Sequence, residues 1–490
     1  MKHVFQTHRP HALKLRLTTT ALAGVIGLVG IGGLLPMSVQ PAHAAEATSA
    51  VNAVMAQQAA PQTASQAAPQ ATRAARLSDI LQMARDNDPQ YAAAKASAEA
   101  GREKYVQGRA GLLPSLSASG SARRVHESNT GLPNPVNYHS GVAALTLNQP
   151  LLRMANFQAF KQGELQAALA DLQLQAAEQD LLLRVAKAYF DVLQAQDALD
   201  SVRAQKEAFS QQLAQADKSY KVGVSPITDV NDAQSRYDLT LAQEIAALND
   251  LEVKRRAVQK SIRVTVPRLA TLNEQASVEL LPPEQLQQLV SQAPEGSLQV
   301  AIGRTTAEIA RREVARESAG HWPTVDLVAN KVENYHASYN VTGPQTTRQA
   351  AIGVEVNVPL FQGGAVRSRE REAAANHERA REELEAARRQ AEFEAGQAML
   401  GVQSGAAMNR ALKQALSSNE TQVKSTRRGM EVGVRTRVDV LNAEQQLYAT
   451  RRDLSAARYQ TLVSALQLKA AAGQLTEQDV RALDGLLGEQ

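Results

Sequence analysis

The chain has 490 residues, no cysteine, and 53 basic against 49 acidic residues, for a formal net charge of +4. The lack of cysteine excludes a disulfide-stabilised scaffold, a thiolate metal site and a lipid-modified N-terminal cysteine. Residues 1–44 hold four of the basic residues and none of the acidic ones, which leaves 49 of each sign in the rest of the chain. The overall charge therefore gives no indication of nucleic-acid binding.

Residues 1–44 have the pattern of a secretory signal peptide. The stretch begins with basic residues, residues 21–35 are apolar, and a small-residue cleavage site ends at Ala44. An uncleaved membrane anchor is the alternative, although an apolar run of about 17 residues is marginal for a span. Residues 45–75 are nearly all Ala, Gln, Pro, Ser and Thr, a composition typical of disorder. No later stretch is apolar enough to predict a transmembrane helix.

A short motif occurs twice, about 210 residues apart, as VGVSPITDVNDA at residues 222–233 and VGVRTRVDVLNA at residues 432–443. Two upstream landmarks repeat in the same order. They are Leu113-Pro114 with Trp322-Pro323, and NQPL at residues 148–151 with NVPL at residues 357–360. Three matches at one period predict that the fold consists of two copies of one unit.

The first repeat, residues 76–263, is predicted to contain a helix, two strands, a long helix, a turn and a further helix. The first helix runs from Leu77 to about Gly111, and the two strands span about 114–126 and 140–150. The long helix spans 151–221, the turn 222–228 and the last helix 229–263. The long helix is free of proline, and its apolar residues step alternately by four and three, as in a coiled coil. This seam consists of Leu181, Val185, Ala188, Val192, Ala195, Leu199 and Val202.

The second repeat, residues 298–472, follows the same plan. After an opening helix, its predicted bounds are about 323–333 and 349–359 for the strands, 361–429 for the long helix, 430–438 for the turn and 439–472 for the last helix. The long helix has a seam of many small residues: Leu384, Ala387, Ala391, Glu394, Ala398, Gly401, Gly405, Met408, Leu412 and Ala415. Residues 264–297 contain four prolines and are predicted to be irregular, and residues 473–490 form a C-terminal segment.

The predicted strands have the length and alternation of membrane strands. Apolar residues Ile352, Val354 and Val356 alternate with polar or small ones, and strands of about 9–13 residues suit one crossing of a bilayer. Four strands cannot close into a barrel, and unpaired edges in lipid cost several kcal/mol per group. Three chains would supply twelve strands, and a dimer would supply eight. A small soluble sheet at the end of a coiled coil is the alternative.

The sequence contains no pattern of catalytic residues. The nine histidines are scattered, and no HExxH, Walker or nucleophile-elbow motif occurs. We therefore expect no enzyme activity, no cofactor and no metal site. Residues 367–389 mix both signs of charge at helical spacing, which indicates a solvated helix face.

Taken together, several motifs resemble the TolC family of outer-membrane channels. Besides the two VG motifs and the two Leu/Trp-Pro pairs, they are Tyr189-Phe190, PLFQGG at residues 359–364 and LTEQDV at residues 475–480. The resemblance implies a mainly α fold with a small β part. It implies a homotrimer whose 12-stranded outer-membrane β-barrel continues into a 12-helix α-barrel tunnel through the periplasm. The implied partners are outer-membrane lipid, a periplasmic adaptor (a membrane fusion protein) and an inner-membrane transporter, either ABC or proton-driven.

The same resemblance puts the two VG turns at the periplasmic tip, where the tunnel closes. By position, Arg435 would bond near Thr228 and Asp229, and three copies of Asp439 would form a carboxylate ring, a device that selects cations. The alternative for Asp229 and Asp439 is a purely structural one, since both fall at helix starts, where the helix dipole favours anions. Gly223, Val224, Gly433 and Val434 would receive the adaptor, or would only make the turns.

Two positions depart from the family pattern. A tyrosine is replaced by Met430, and a second entrance carboxylate by Asn442. Each lost charge-assisted bond is worth about 1.5–3 kcal/mol, so we expect a less tightly closed tip and weaker block by cations. Many relatives in the drug-efflux branches are lipid-anchored through an N-terminal cysteine. This chain has no cysteine, and in this respect it resembles the secretion-type branch.

The predicted function is a passive exit conduit for proteins, as in type I secretion, or for small molecules. A periplasmic coiled-coil structural or adaptor protein without a pore is the alternative. The sequence does not indicate the cargo.

Overall fold

The computed structural model describes residues 74–128, 136–273, 282–335 and 346–488, and these form a mainly helical protein. Among them, no helix has both the length and the hydropathy that a membrane span requires. The predicted signal peptide and nearly all of the predicted low-complexity segment lie outside the described residues.

The helices are α1 (Leu77–Asn87), α2 (Pro89–Ala110), α3 (Met154–Lys221), α4 (Ile227–Ile262), α5 (Pro283–Gly296), α6 (Leu298–Ser318), α7 (Ala365–Glu431), α8 (Arg437–Ala471) and α9 (Glu477–Asp484). The strands are β1 (Ser115–Glu127), β2 (Val136–Leu152), β3 (Thr271–Leu272), β4 (Thr324–Tyr335), β5 (Thr346–Asn357) and β6 (Leu487–Gly488). The four long helices α3, α4, α7 and α8 begin and end close to the bounds that the sequence predicts.

The single helix predicted from Leu77 to Gly111 is wrong, because the chain breaks at Asp88. Pro89 is the first residue of α2, and a proline disfavours the helical conformation of the residue before it. The buried carboxylate of Asp88 accepts hydrogen bonds from the backbone N–H groups of Gln90 (2.9 Å) and Tyr91 (3.0 Å). Asp88 therefore ends α1 and caps α2.

The segment 264–297, predicted to be irregular, contains a helix. Pro283 stands at the first position of α5, where proline is tolerated because that N–H has no partner in the helix. Leu286, Leu289 and Ala293 form its buried face, which packs in one cluster with residues of α7 and α8. This apolar spacing of three and four outweighs the prolines that suggested a loop.

Strands β1, β2, β4 and β5 form an antiparallel sheet in that order. The register aligns Leu116, Leu147, Ala329 and Ile352 across the four strands, and the next row is Ser117, Thr146, Asn330 and Ala351. Side chains alternate between the two faces of a strand. We call the side with Leu116 and Ile352 the apolar face and the side with Ser117 and Asn330 the polar face. Among the described residues, β1 and β5 each have one unpaired edge.

Helices α3 and α4 form one helical hairpin, and α7 and α8 form a second. The predicted seam of α3 is confirmed: six of its residues are buried, and Ala188 is partly buried against the same core. The predicted seam of α7 is wrong at Glu394 and Met408, which are exposed, and it omits the buried Ala395 and Val402, whereas its member Ala398 is buried. At Gly405, an added Cβ would lie 2.3 Å from the Thr461 hydroxyl, so α7 and α8 approach closely there.

An aromatic cluster at the middle of α3 joins distant parts of the chain. Phe190 stacks on Tyr459 of α8, with ring centroids 5.9 Å apart. The buried hydroxyl of Tyr189 donates to the carbonyl of Ala270 at 2.7 Å. Beside this cluster, β3 pairs with β6, which brings the C-terminal segment against the segment that precedes α5.

Candidate gate at the helical turns

The turns of the two hairpins have the same backbone geometry. We call residues 222–226 tip turn 1 and residues 432–436 tip turn 2. Gly223 and Gly433 have φ angles of 77° and 79°, in the left-handed region that favours glycine. The N–H of Val224 donates to the carbonyl of Ser219 at 2.9 Å, and the N–H of Val434 donates to that of Gly429 at 2.8 Å. Each turn is thus a Schellman motif that ends a long helix.

Both turns present apolar side chains to solvent. Val224 is 79% exposed and Val434 is 75% exposed, and Val222 and Val432 are exposed as well. No added Cβ at Gly223 or Gly433 would meet another atom within 4 Å, so both glycines also lie at the open surface. The four residues predicted to receive an adaptor are therefore accessible, and exposed apolar clusters are typical of interaction sites.

The helix that follows tip turn 2 begins with a capping box. The Asp439 carboxylate accepts from the Thr436 N–H at 2.9 Å, and the Thr436 hydroxyl accepts from the Asp439 N–H at 3.2 Å. The bond from the Thr436 backbone, with the Thr436 hydroxyl and the charge of Arg435, lowers the pKa of Asp439 below its ordinary value. This carboxylate has the structural role that its place at a helix start predicts.

The helix that follows tip turn 1 begins differently. Its N-cap residue is Pro226, which has no N–H, so Asp229 cannot form the same box. The Asp229 carboxylate instead lies 4.0 Å from Nε of Arg437, the first residue of α8. A link between the two hairpins of one chain therefore starts at Asp229.

The remaining predicted gate residues lie nearby without contacting one another. Thr228 and Arg435 are exposed, and in the described part of the chain neither side chain has a hydrogen bond or ion pair within the protomer. Asn442 Oδ1 accepts from Arg236 Nη2 at 2.8 Å, and Arg236 Nη1 donates to Gln445 at 3.0 Å. Asn442 thus joins α8 to α4 rather than standing alone in an entrance.

Three of these residues, Arg437, Arg236 and Gln445, were not identified from the sequence, and neither was Glu444. Glu444 is 1% exposed and accepts hydrogen bonds from Arg427 of α7 and Gln212 of α3. One signal was available for Arg437, because a cation in the first turn of a helix opposes the helix dipole. Such a residue calls for a partner outside its own helix.

No cluster of three or more His, Asp or Glu side chains suited to a metal ion occurs among the residues with described positions. The side chains around the turns offer charge pairing and hydrogen bonding between helices. Such contacts can hold two helical hairpins together or let them separate.

The sequence matches the family of outer membrane efflux proteins over residues 80–262 and 289–474. It is 34% identical to the outer membrane protein TolC of Vibrio cholerae over 409 residues, covering 83% of this chain and 92% of that protein. It is 33% identical to the proteases secretion protein PrtF of Dickeya chrysanthemi over 425 residues, covering 84% and 91%. The fold is similar to that of the outer membrane protein VceC of Vibrio cholerae, with a TM-score of 0.69, 19% identity and coverage of 81% and 96%. The chain therefore belongs to the outer membrane efflux protein family.

Proposed function

We propose that this chain is the outer-membrane exit channel of a tripartite export system, a passive conduit for secreted proteins or small molecules. Membership of the efflux protein family and the similarity to TolC and PrtF support an outer-membrane channel that serves secretion and efflux. The single observation that carries the proposal is a sheet with one apolar face, one polar face and two unpaired edges.

The apolar face has the dimensions of a lipid contact. On β5 and the residue after it, the alternate side chains from Ala350 to Val358 are apolar, and Ile352 is 74% exposed. Eight residues of extended chain span about 26 Å, or about 20 Å when tilted, close to the apolar band of about 25 Å in membrane barrels. On the same face Lys331 lies beside Ala350, and the row ends at an ion pair between Arg348 and Glu333, with Nε and Oε1 2.7 Å apart. The apolar face would meet lipid, and the polar face would line the lumen.

The unpaired edges of β1 and β5 support closure by other copies of the chain. Edge groups left unpaired in lipid cost several kcal/mol each, so a membrane sheet must close. Pairing β5 of one subunit with β1 of the next would close a barrel of twelve strands from three chains. The two hairpins of each chain would then supply the helices of a periplasmic tunnel, and the matching tip turns support the duplication of one unit in the sequence.

At the tip, we propose that the exposed valines of the two turns dock a periplasmic adaptor, which connects the channel to an inner-membrane transporter. Arg435 would bond near Thr228 and Asp229 of a neighbouring subunit, and Asp439 would face the entrance. The exposure of Arg435 and the negative charge of Asp439 support these roles.

A periplasmic coiled-coil protein without a pore is not favoured. Such a protein would leave the apolar row of β5 in water, an exposed apolar edge that promotes aggregation. The test is to isolate the full chain from outer-membrane fractions in detergent, measure its mass, and record currents in planar lipid bilayers. We expect a mass of three chains and discrete ion currents. A water-soluble monomer that gives no current would overturn the proposal.

A further inference from the structure

Arg437 begins the helix that follows tip turn 2, at the position where the first hairpin has the apolar Ile227. The turns share their backbone hydrogen bonds, and the first residue of the following helix is Ile227 in one hairpin and Arg437 in the other. Building the turn therefore does not require an arginine. A cation at the start of α8 also opposes the helix dipole, so its presence there needs another explanation.

The side chain of Arg437 is buried against the first hairpin. It is 13% exposed, and its Nε lies 4.0 Å from Oδ2 of Asp229, which is partly buried at 29% exposure. Both Nε and Nη1 of Arg437 are buried and have no hydrogen-bond partner among the described residues. Buried guanidinium donors are costly to leave unpaired, and a shift of about 1 Å would turn this ion pair into charge-assisted hydrogen bonds.

Pro226 leaves the Asp229 carboxylate available for this contact. In the second hairpin, the equivalent carboxylate of Asp439 is bonded to the N–H of Thr436. Pro226 has no N–H to offer, so Asp229 keeps both carboxylate oxygens for a partner outside its own helix turn. The two differences, Pro226 and Arg437, complement each other across the hairpins.

Few side-chain bonds join α4 to α8 in the described part of the chain. They are the Asp229–Arg437 pair and the bonds from Arg236 to Asn442 and Gln445. Of these, the Asp229–Arg437 pair lies nearest to the tip turns. It is therefore the first contact that would break if the two hairpins of one chain moved apart at the tip.

We propose that Arg437 is a latch residue, which holds the two hairpins of each subunit together through Asp229 and keeps the tip closed. This inference rests on the proposed channel function. It adds a closing contact that the expectation of a less tightly closed tip, drawn from Met430 and Asn442, did not include. This contact lies within one chain, in addition to the bond proposed for Arg435 between subunits, and it uses a residue that the sequence did not identify.

The test compares currents of purified full-length variants in planar lipid bilayers. Arg437→Met keeps the length of the side chain and removes its charge, and Asp229→Asn removes the other charge. Losing one partly buried ion pair should raise the ratio of open to closed channel about five- to tenfold in either variant. The double variant should open no further than either single one, because both remove the same contact. Exchange of the charges in Asp229→Arg/Arg437→Asp should restore the low current.

Arg428→Met is the matched control. Arg428 is exposed in the last turn of α7, so this change removes the same charge near the tip without touching the pair. We expect currents like those of the unmodified protein. The latch is overturned if Arg437→Met opens the channel no more than Arg428→Met, or if the effects of Arg437→Met and Asp229→Asn simply multiply. If the unmodified protein formed no trimer and no pore, the proposed channel function would be wrong. An intact pore whose currents do not change in Arg437→Met would instead contradict the latch alone.

Discussion

Thr436 and Asp439 exchange hydrogen bonds at the start of α8, at 2.9 Å and 3.2 Å, and so close the first turn after tip turn 2. The carboxylate that the channel would present to its entrance is thus also the one that starts a helix. Its structural role and its electrostatic role can be separated by substitution, because an amide still accepts a hydrogen bond but carries no charge.

Asp439→Asn is expected to keep the helix start and to lose the block of the channel by cations. Asp439→Ala should lose both and unfold at a lower temperature, because the N–H of the N-cap residue Thr436 loses its acceptor. Thermal unfolding and conductance with added divalent or trivalent cations measure the two effects. Cation block that persists in Asp439→Asn would exclude Asp439 from the entrance ring.

The block by cations should survive mild acid. The bonds from Thr436 lower the pKa of Asp439, so its carboxylate remains charged below the ordinary value of about 3.8. Because the folded pKa is depressed, the contribution of this group to stability is complete above the ordinary value. It is lost as the pH falls through the lowered one. Titrating the block from pH 6 downward checks this, and a midpoint above about 4 would contradict it.

Charge on the two faces of β5 should have opposite consequences. Val354→Lys places an ammonium on the apolar face, at a cost of about 2–4 kcal/mol if that face meets the middle of the bilayer. Gly353→Lys changes the preceding residue, on the polar face, where an added Cβ meets no atom within 4 Å, and it should be tolerated. Recovery of folded trimer from outer-membrane fractions measures both. Equal recovery of the two variants would mean that the apolar face does not contact lipid.

The Tyr459–Asp197 contact beside the aromatic cluster makes stability depend on pH. Burial raises the pKa of Asp197, although the Tyr459 hydroxyl donates to it at 2.9 Å. The native state therefore binds this proton more tightly than the unfolded state, and stability declines as the pH rises through the raised pKa. Asp197→Asn should unfold at a higher temperature than the unmodified protein at pH 7, with the difference vanishing below about pH 3.8.

Tyr459→Phe is the complementary variant. It removes the donor and leaves a partly buried carboxylate short of one hydrogen bond, at a cost of about 1 kcal/mol. Thermal unfolding at pH 7 should therefore rank Asp197→Asn above the unmodified protein and Tyr459→Phe below it. If Asp197→Asn unfolded at a lower temperature than the unmodified protein, the ionised carboxylate would instead stabilise this core.

The sequence predicted the long helices well where their seams are bulky. In α3, large side chains such as Leu181 and Leu199 occur on the buried face, so their spacing identified the face that packs in the core. In α7 the seam is made mostly of alanines and glycines, which occur on both faces, and the predicted seam wrongly included the exposed Glu394 and Met408. Small residues give a weak periodic signal because burying them gains little free energy.

Local chemistry explains the other differences. The break at Asp88 could have been read from the Asp-Pro pair, whereas α5 required knowing which surface its apolar face would cover. The tip turns were predictable because glycine at a left-handed position leaves few alternatives. The partner of Asp229 was not, because it depends on how two helices about 210 residues apart in the sequence pack side by side.

Cross-linking of the sheet edges tests the central claim most directly. The chain has no cysteine, so every disulfide comes from introduced residues. Each variant carries one cysteine on β1 and one on β5, at positions of the apolar face, and these form a disulfide only where the two edges meet. Oxidised membranes analysed on a denaturing gel should give covalent dimers and trimers and no larger species. Three results would contradict a barrel shared by three subunits: covalent dimers without trimers, species larger than trimers, or no cross-linked species in any of the variants.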